Sequence, residues 1–113
     1  MDEIKELISR ALGFIKRLFV RIINGMINFF NNIVGWFKGL RLKKEEDIPF
    51  VINAKDPQFR EMLKNAPQKN VGLFEGVFNE RTDEITHHEY LAADAIDNQT
   101  RQVIGNESVV VLT

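Results

Sequence analysis

The sequence contains no cysteine, which excludes disulfide bonds, thiolate catalysis and cysteine-based zinc sites. It also lacks the short motifs that carry common chemistries. There is no glycine-rich phosphate loop, no Gly-x-Ser-x-Gly nucleophile elbow and no His-Glu-x-x-His zinc motif. These absences predict a protein that is not an enzyme and that needs no cofactor.

Acidic residues are absent from one long stretch, between Leu7 and Lys44. Residues 1–44 carry nine Lys or Arg and three Asp or Glu, whereas residues 45–113 carry six and thirteen. The net charge of -1 for the 113 residues therefore hides a basic first part and an acidic second part. Such a division predicts that the basic part meets an anionic partner.

Apolar residues recur as adjacent pairs through the basic part. The first pair, Leu7-Ile8, and the last, Trp36-Phe37, lie 29 residues and eight steps apart. The mean step of about 3.6 residues is the period of an α-helix. The turn-forming Asn24-Gly25 pair could divide this segment into a helical hairpin. Because the apolar spacing continues through the pair, one long amphipathic helix over residues 1–42, bent at this point, is favoured.

The apolar face of such a helix must be shielded from water, and three kinds of surface could cover it. A lipid surface is favoured, because a basic polar face opposite Phe, Trp and Leu is typical of an interfacial helix. Contact with other protein chains is the second, and packing against the rest of this chain is the third. Residues 22–37 carry no charge but number only sixteen and include four Asn, which argues against a membrane span.

The lipid interpretation assigns roles to two sets of side chains. The predicted membrane-inserting residues are Phe14, Phe19, Phe29, Phe30, Trp36 and Phe37. The predicted headgroup-contacting residues are Arg10, Lys16, Arg17, Arg21, Lys38, Arg41, Lys43 and Lys44.

A charged linker over residues 43–47 is predicted to lead into a small acidic module over residues 48–113. Strands are predicted at 48–53, 71–78, 84–96 and 108–113, the third being a choice over a helix. Short helices are predicted from Asp56 to about Asn65 and from Asp97 to Gly105, each with an aspartate as N-cap. The fold class is thus α+β: a long N-terminal helix, then three or four mostly antiparallel strands with two short helices.

His87 and His88 are the weak candidates for a metal or acid–base site. Adjacent side chains point to opposite faces of a strand, so the two rings cannot chelate one ion there. A third histidine is lacking. No metal site is therefore predicted, and the stretch around His87 and His88 is interpreted as the polar face of a strand.

The function predicted from the sequence is that of a non-enzymatic peripheral membrane protein. The helix would bind an anionic membrane on its cytoplasmic face, and the acidic module would be offered to a protein partner. The alternative is a small structural subunit of a larger assembly, with the helix buried against other subunits or forming a homo-oligomer. Nucleic-acid binding is not favoured, because no recognised motif occurs and the basic residues flank a broad apolar face.

Overall fold

A computed structural model describes residues 2–53 and 69–112, which fold around one five-stranded sheet. The helices are α1 (Asp2–Leu12), α2 (Gly35–Gly39) and α3 (Asn98–Ile104), and a π-helical turn over Phe29–Val34 runs directly into α2. The strands are β1 (Val20–Ile27), β2 (Asp47–Asn53), β3 (Val71–Asn79), β4 (Glu84–Ile96) and β5 (Val109–Val111).

The strands are arranged in the order β1-β4-β3-β2-β5. β1 runs parallel to β4, and the other three neighbouring pairs are antiparallel. β1 and β5 are therefore the two edges of a mixed sheet. The α+β class and the mostly antiparallel pairing predicted from the sequence are confirmed, with five strands among the described residues.

Both faces of the sheet are covered. On one face, Ile8 and Leu12 of α1 pack against Phe50, Phe74 and Phe78, and all five side chains are buried. We call this the α1 face. The other face, the α2 face, is covered by the π-helical turn, α2 and α3. Its buried residues include Ile33, Phe37, Leu73, Leu91 and Ile104.

The continuous helix predicted over residues 1–42 is wrong. The first helix, α1, ends at Leu12, residues 20–27 form a strand that pairs with β4, and helical structure resumes only at Phe29. The apolar pairs do bury hydrophobic surface, but they do so on both faces of a sheet instead of along one side of a helix. The structure shows that this chain itself buries four of the apolar side chains, which was the third possibility raised by the sequence. They are Ile8, Leu12, Ile33 and Phe37.

Local sequence explains why the helix stops and a strand begins. Gly13 follows the last residue of α1, and Val20, Ile22 and Ile23 are β-branched residues that favour strands. Gly25 adopts φ 113°, which is open to glycine, at the point where the pairing of β1 with β4 shifts register. The sequence signal at Asn24-Gly25 was therefore real, but it marks an irregularity in a strand.

The second part of the chain largely follows the sequence expectations. The strands predicted at 48–53, 71–78 and 84–96 are confirmed as β2, β3 and β4, and the one at 108–113 is the shorter β5. The helix predicted from Asp97 is α3, in which the Asp97 side chain accepts a hydrogen bond from Thr100 N–H at 2.9 Å. The helix predicted after Asp56 lies outside the described residues.

Asp97 also fixes the first part of the chain to the second. Its Oδ2 accepts a hydrogen bond from Phe29 N–H at 3.1 Å, and its own N–H donates to the Ile27 carbonyl at 3.0 Å. The end of β1 and the start of the π-helical turn are thus held to the N-terminus of α3. The described elements of the first and second parts of the chain consequently share one sheet and its two cores.

Gly76 lies where the sheet leaves no room for a side chain. A Cβ built there would lie 2.8 Å from Phe50 Cζ and 3.1 Å from the His87 carbonyl oxygen. We expect Gly76→Ala to lower the free energy of unfolding by about 1–3 kcal/mol, because neither the buried ring nor the backbone can move freely. Urea denaturation measures this.

Gly39→Ala provides the matched control, because a Cβ at Gly39 would meet nothing within 4 Å. This variant should be as stable as the parent or slightly more stable, since alanine restricts the unfolded chain. Equal losses for the two variants would contradict the close packing at Gly76.

Candidate functional site

The exposed hydrophobic surface of the protein is concentrated along the β1 edge. Among the described residues, the large hydrophobic side chains that are exposed all fall between residues 14 and 30, and Phe14 is 84% exposed. Two lie in the connection between α1 and β1, two in β1, and one in the π-helical turn. They are Phe14, Phe19, Ile22, Met26 and Phe30.

Exposed basic residues accompany these side chains. Lys16 and Arg17 lie between Phe14 and Phe19, and no acidic residue occurs in this stretch of chain. We define the β1-edge surface as Phe14, Lys16, Arg17, Phe19, Ile22, Met26 and Phe30. It combines bulky apolar groups with positive charge, and the strand beneath it has no neighbour on its outer side within the described residues.

The connection over residues 13–19 is held in place by β4. The Phe19 carbonyl accepts a hydrogen bond from Tyr90 N–H at 2.7 Å, and the Arg17 carbonyl accepts one from His88 Nε2 at 3.1 Å. The rings of Phe19 and His88 lie 5.3 Å apart. The apolar and basic side chains are thus presented from a backbone that is tied to the sheet.

The two histidines do different things, as their positions in a strand require. His88 stacks on Phe74 with ring centroids 5.5 Å apart, on the α1 face. His87 points away from it, is exposed, and contacts the Thr86 hydroxyl at 3.1 Å. The described part of the chain contains no group of three or more residues that could hold a metal ion.

The structure divides the predicted membrane-inserting residues into two groups. Phe14, Phe19 and Phe30 are exposed. Phe37 is buried in the core on the α2 face, and Phe29 and Trp36 pack against that core. The expectation that Phe37 inserts into a membrane does not fit this packing, because its ring already fills the interior of the protein.

The predicted headgroup-contacting residues are likewise spread over the molecule. Lys16, Arg17, Lys38, Arg41, Lys43 and Lys44 are exposed. Arg10 is also exposed and forms an ion pair with Glu6 at 3.3 Å, whereas Arg21 forms one with Glu89 at 3.6 Å. Of this set, Lys16, Arg17 and Arg21 are the residues that fall between the exposed Phe14 and Ile22 in the chain.

A cleft limits the β1-edge surface at one end. It has a volume of about 440 Å³ and lies between Phe14 and Ile15 on one side and Asp83 and Glu84 on the other. Near the other end of β1, Asp94 accepts a hydrogen bond from Gly25 N–H at 3.2 Å and pairs with Lys69 at 3.5 Å. The positive charge is therefore centred on Lys16 and Arg17.

A pair of carboxyl groups lies on β4 and β3, the two strands that follow β1 in the sheet, and no motif in the sequence indicates it. Glu75 of β3 and Glu89 of β4 are directly opposite each other, on the α2 face of the sheet. Glu75 is fully buried, and both its oxygens and Oε2 of Glu89 lack a hydrogen-bond donor. Arg21 approaches Glu89 from β1 at 3.6 Å and is itself half-exposed.

A proton held between the two carboxyl groups would supply the hydrogen-bond donor that these buried oxygens lack. Burial, a hydrogen bond to Glu89 and repulsion by its charge raise the pKa of Glu75 to about 11, although Arg21 opposes the shift. Glu75 is therefore a neutral acid at pH 7 and can donate to Glu89. Glu75 does not line the cleft beside Phe14, which opens at the end of the β1 edge.

None of the helices described is both long enough and apolar enough to cross a membrane. Comparison of the sequence with protein-family models gives no match, and neither curated proteins nor solved structures show a significant similarity to this chain. Any functional conclusion therefore depends on the residues of this chain alone.

Proposed function

We propose that the protein is a non-enzymatic peripheral membrane protein that binds an anionic membrane through its β1-edge surface. The observation that carries the proposal is Phe14, an almost fully exposed aromatic side chain followed by Lys16 and Arg17. Burying a Phe side chain is worth about 1.5–3 kcal/mol relative to leaving it in water. Each basic residue near an anionic leaflet adds on the order of 1 kcal/mol.

This mode of attachment differs from that of an interfacial helix. The inserting groups would be side chains of the connection over residues 13–19, with Phe19 and Lys16 beside Phe14. The outer backbone groups of β1 would stay in the polar headgroup region, because unpaired N–H and C=O groups are costly in hydrocarbon. The acidic second part of the chain would then face the cytoplasm and be available to a protein partner.

Vesicle flotation of the whole chain tests the proposal. We expect flotation with anionic vesicles at low salt, weaker flotation at high salt, and little with neutral vesicles. Phe14→Ser should weaken binding about 30-fold, which corresponds to about 2 kcal/mol of lost apolar burial. Phe14→Leu keeps the apolar group and should bind almost as well as the parent.

Point variants are preferable to removing residues 1–44. That truncation would take away α1 and β1, and it would uncover buried Phe50 and Phe74 on the α1 face. A loss of binding would then report unfolding. The membrane proposal fails if the whole chain does not float with vesicles of any composition, or if Phe14→Ser floats as well as Phe14→Leu.

The alternative function, a structural subunit of a larger assembly, is favoured by one specific observation. β1 is an edge strand whose Ile22 and Met26 side chains are at least half exposed, and an unpaired strand edge can accept a strand from another chain. A defined oligomer in light scattering that Ile22→Lys converts to monomer, together with no lipid binding, would support this function.

A further inference from the structure

A second apolar surface lies at the opposite edge of the sheet from β1, beside β5. A cleft of about 620 Å³ opens between the segment over residues 29–42 and the C-terminal strand. Its walls come from five elements: the π-helical turn, Phe37 of α2, Pro49 of β2, Val103 of α3, and Val110 of β5 with the adjoining Leu112. It shares no lining residue with the β1-edge surface as defined above.

The cleft has one charged group in its lining. That group is Lys38, in the last turn of α2, and its side chain is exposed and forms no ion pair with any described residue. No acidic side chain lines the cleft. The site therefore offers an apolar groove with a single positive charge at its margin.

These features restrict the chemistry of a ligand. A volume of about 620 Å³ falls within the range of roughly 300–1,000 Å³ that small-molecule sites occupy. Several phosphates or a sugar would need an array of polar donors, and a metal ion would need carboxylates, whereas Val110, Val103 and Leu112 supply only apolar walls. One flexible apolar chain with one anionic group matches the groove and its lysine.

We propose that this cleft binds a long-chain amphiphile with a single anionic head, the head contacting Lys38 and the chain lying against Phe37 and Val110. A free fatty acid and a lysophospholipid phosphate share this chemistry. The proposal does not rest on membrane binding by the β1-edge surface, since it concerns single molecules taken from solution at the other edge of the sheet.

The protein carries its own reporter for this site. Trp36 is the single tryptophan, and its ring lies 4.9 Å from that of Phe37, which lines the cleft. The whole chain is titrated with a C16 fatty acid below its critical micelle concentration, and binding is followed by Trp36 fluorescence and by calorimetry. We expect a saturable change with one molecule bound per chain.

Lys38→Gln and a neutral ligand together isolate the charge contact. Lys38→Gln should weaken fatty-acid binding about 10-fold, because a charge-assisted hydrogen bond is lost. The fatty alcohol of equal length should bind the parent about 10-fold more weakly than the acid, and it should not distinguish the parent from Lys38→Gln. Lys43→Gln, at an exposed lysine that does not line the cleft, is the control.

A second titration with lysophosphatidic acid separates the two sources of the ligand. Tighter binding of the fatty acid identifies a free carboxylate ligand, and tighter binding of the lysolipid identifies a lipid-derived phosphate; both support the proposal. Binding only above the micelle concentration, or equal losses for Lys38→Gln and Lys43→Gln, would overturn it. Lys16→Glu/Arg17→Glu should leave fatty-acid binding unchanged, because neither residue lines the cleft. A failure of the membrane proposal can therefore be told apart from a failure of this one.

Discussion

Replacing Glu75 with glutamine should raise the free energy of unfolding at pH 7 by about 3 kcal/mol and remove most of its dependence on pH between 5 and 7. The pKa of Glu75 is about 11 in the folded protein, against an ordinary value of 4.5. Between these two values the unfolded state has released the Glu75 proton and the folded state has kept it. Stability therefore falls by about 1.4 kcal/mol for each pH unit.

The sign follows from which state holds the proton. Below about pH 4.5 the carboxyl group is neutral in both states, so its full contribution to stability is present. That contribution is lost progressively as the pH rises toward 11. Glutamine has no proton to lose, and its amide N–H can still donate to Glu89, so the variant keeps the contact at every pH.

Urea denaturation from pH 4.5 to 8 measures this effect. The stability curves of the parent and of Glu75→Gln should meet near pH 4.5 and diverge above it. Glu84→Gln changes an exposed carboxyl group at the start of β4 and should give a curve parallel to that of the parent. A constant difference between the parent and Glu75→Gln would show that Glu75 does not retain its proton in the folded protein.

Reversing both charges at Lys16 and Arg17 should nearly abolish binding to anionic vesicles. The double change replaces two positive charges with two negative ones, an effect of about 4 kcal/mol at about 1 kcal/mol per charge. This corresponds to a loss of close to 1,000-fold in affinity at low salt, and the loss should shrink as salt screens the surface. Quantitative vesicle sedimentation over a series of salt concentrations provides the measurement.

The controls for this prediction change the same amount of charge elsewhere. Arg81→Glu/Arg101→Glu alters net charge equally, but both residues lie in the acidic second part of the chain. It should weaken binding far less. Asp83→Asn/Glu84→Gln removes negative charge from the wall of the cleft facing Phe14 and should strengthen binding. Equal effects of the two double reversals would mean that net charge alone governs binding, not the β1-edge surface.

Local signals in the second part of the chain predict β2, β3, β4 and α3, and they predict a longer β5 than the structure has. Asp97 and Gly105 bound α3, because an aspartate side chain can cap the first turn and glycine adopts the positive φ of 55° found after Ile104. The strand predicted at residues 84–96, in preference to a helix, is confirmed as β4. In these segments the capping residues and the alternating pattern agree with the tertiary structure.

The first part of the chain shows where periodicity fails. Pairs of apolar residues every 3.6 positions describe a helix with one apolar face. An adjacent pair can also supply one residue to each face of a strand, as Ile22 and Ile23 do in the edge strand β1, where Ile23 packs against the core and Ile22 is half exposed. β4 provides a partner for residues 20–27, and the hydrogen bonds of that pairing replace those of a helix. Periodicity within a segment cannot reveal a partner some 70 residues away.

The sequence by itself determined the chemical character of the chain. It has no cysteine, its first part is basic, rich in aromatic residues and without acids after Glu6, and its second part is acidic. Only the tertiary structure decided which aromatics remain in solvent. Phe14 is exposed and Phe37 is buried because one precedes an edge strand and the other covers the α2 face. Likewise, only the register between β3 and β4 places Glu75 opposite Glu89. The physical reason is that the backbone hydrogen bonds between the two strands decide which residues face each other, and no local pattern in the sequence shows that alignment.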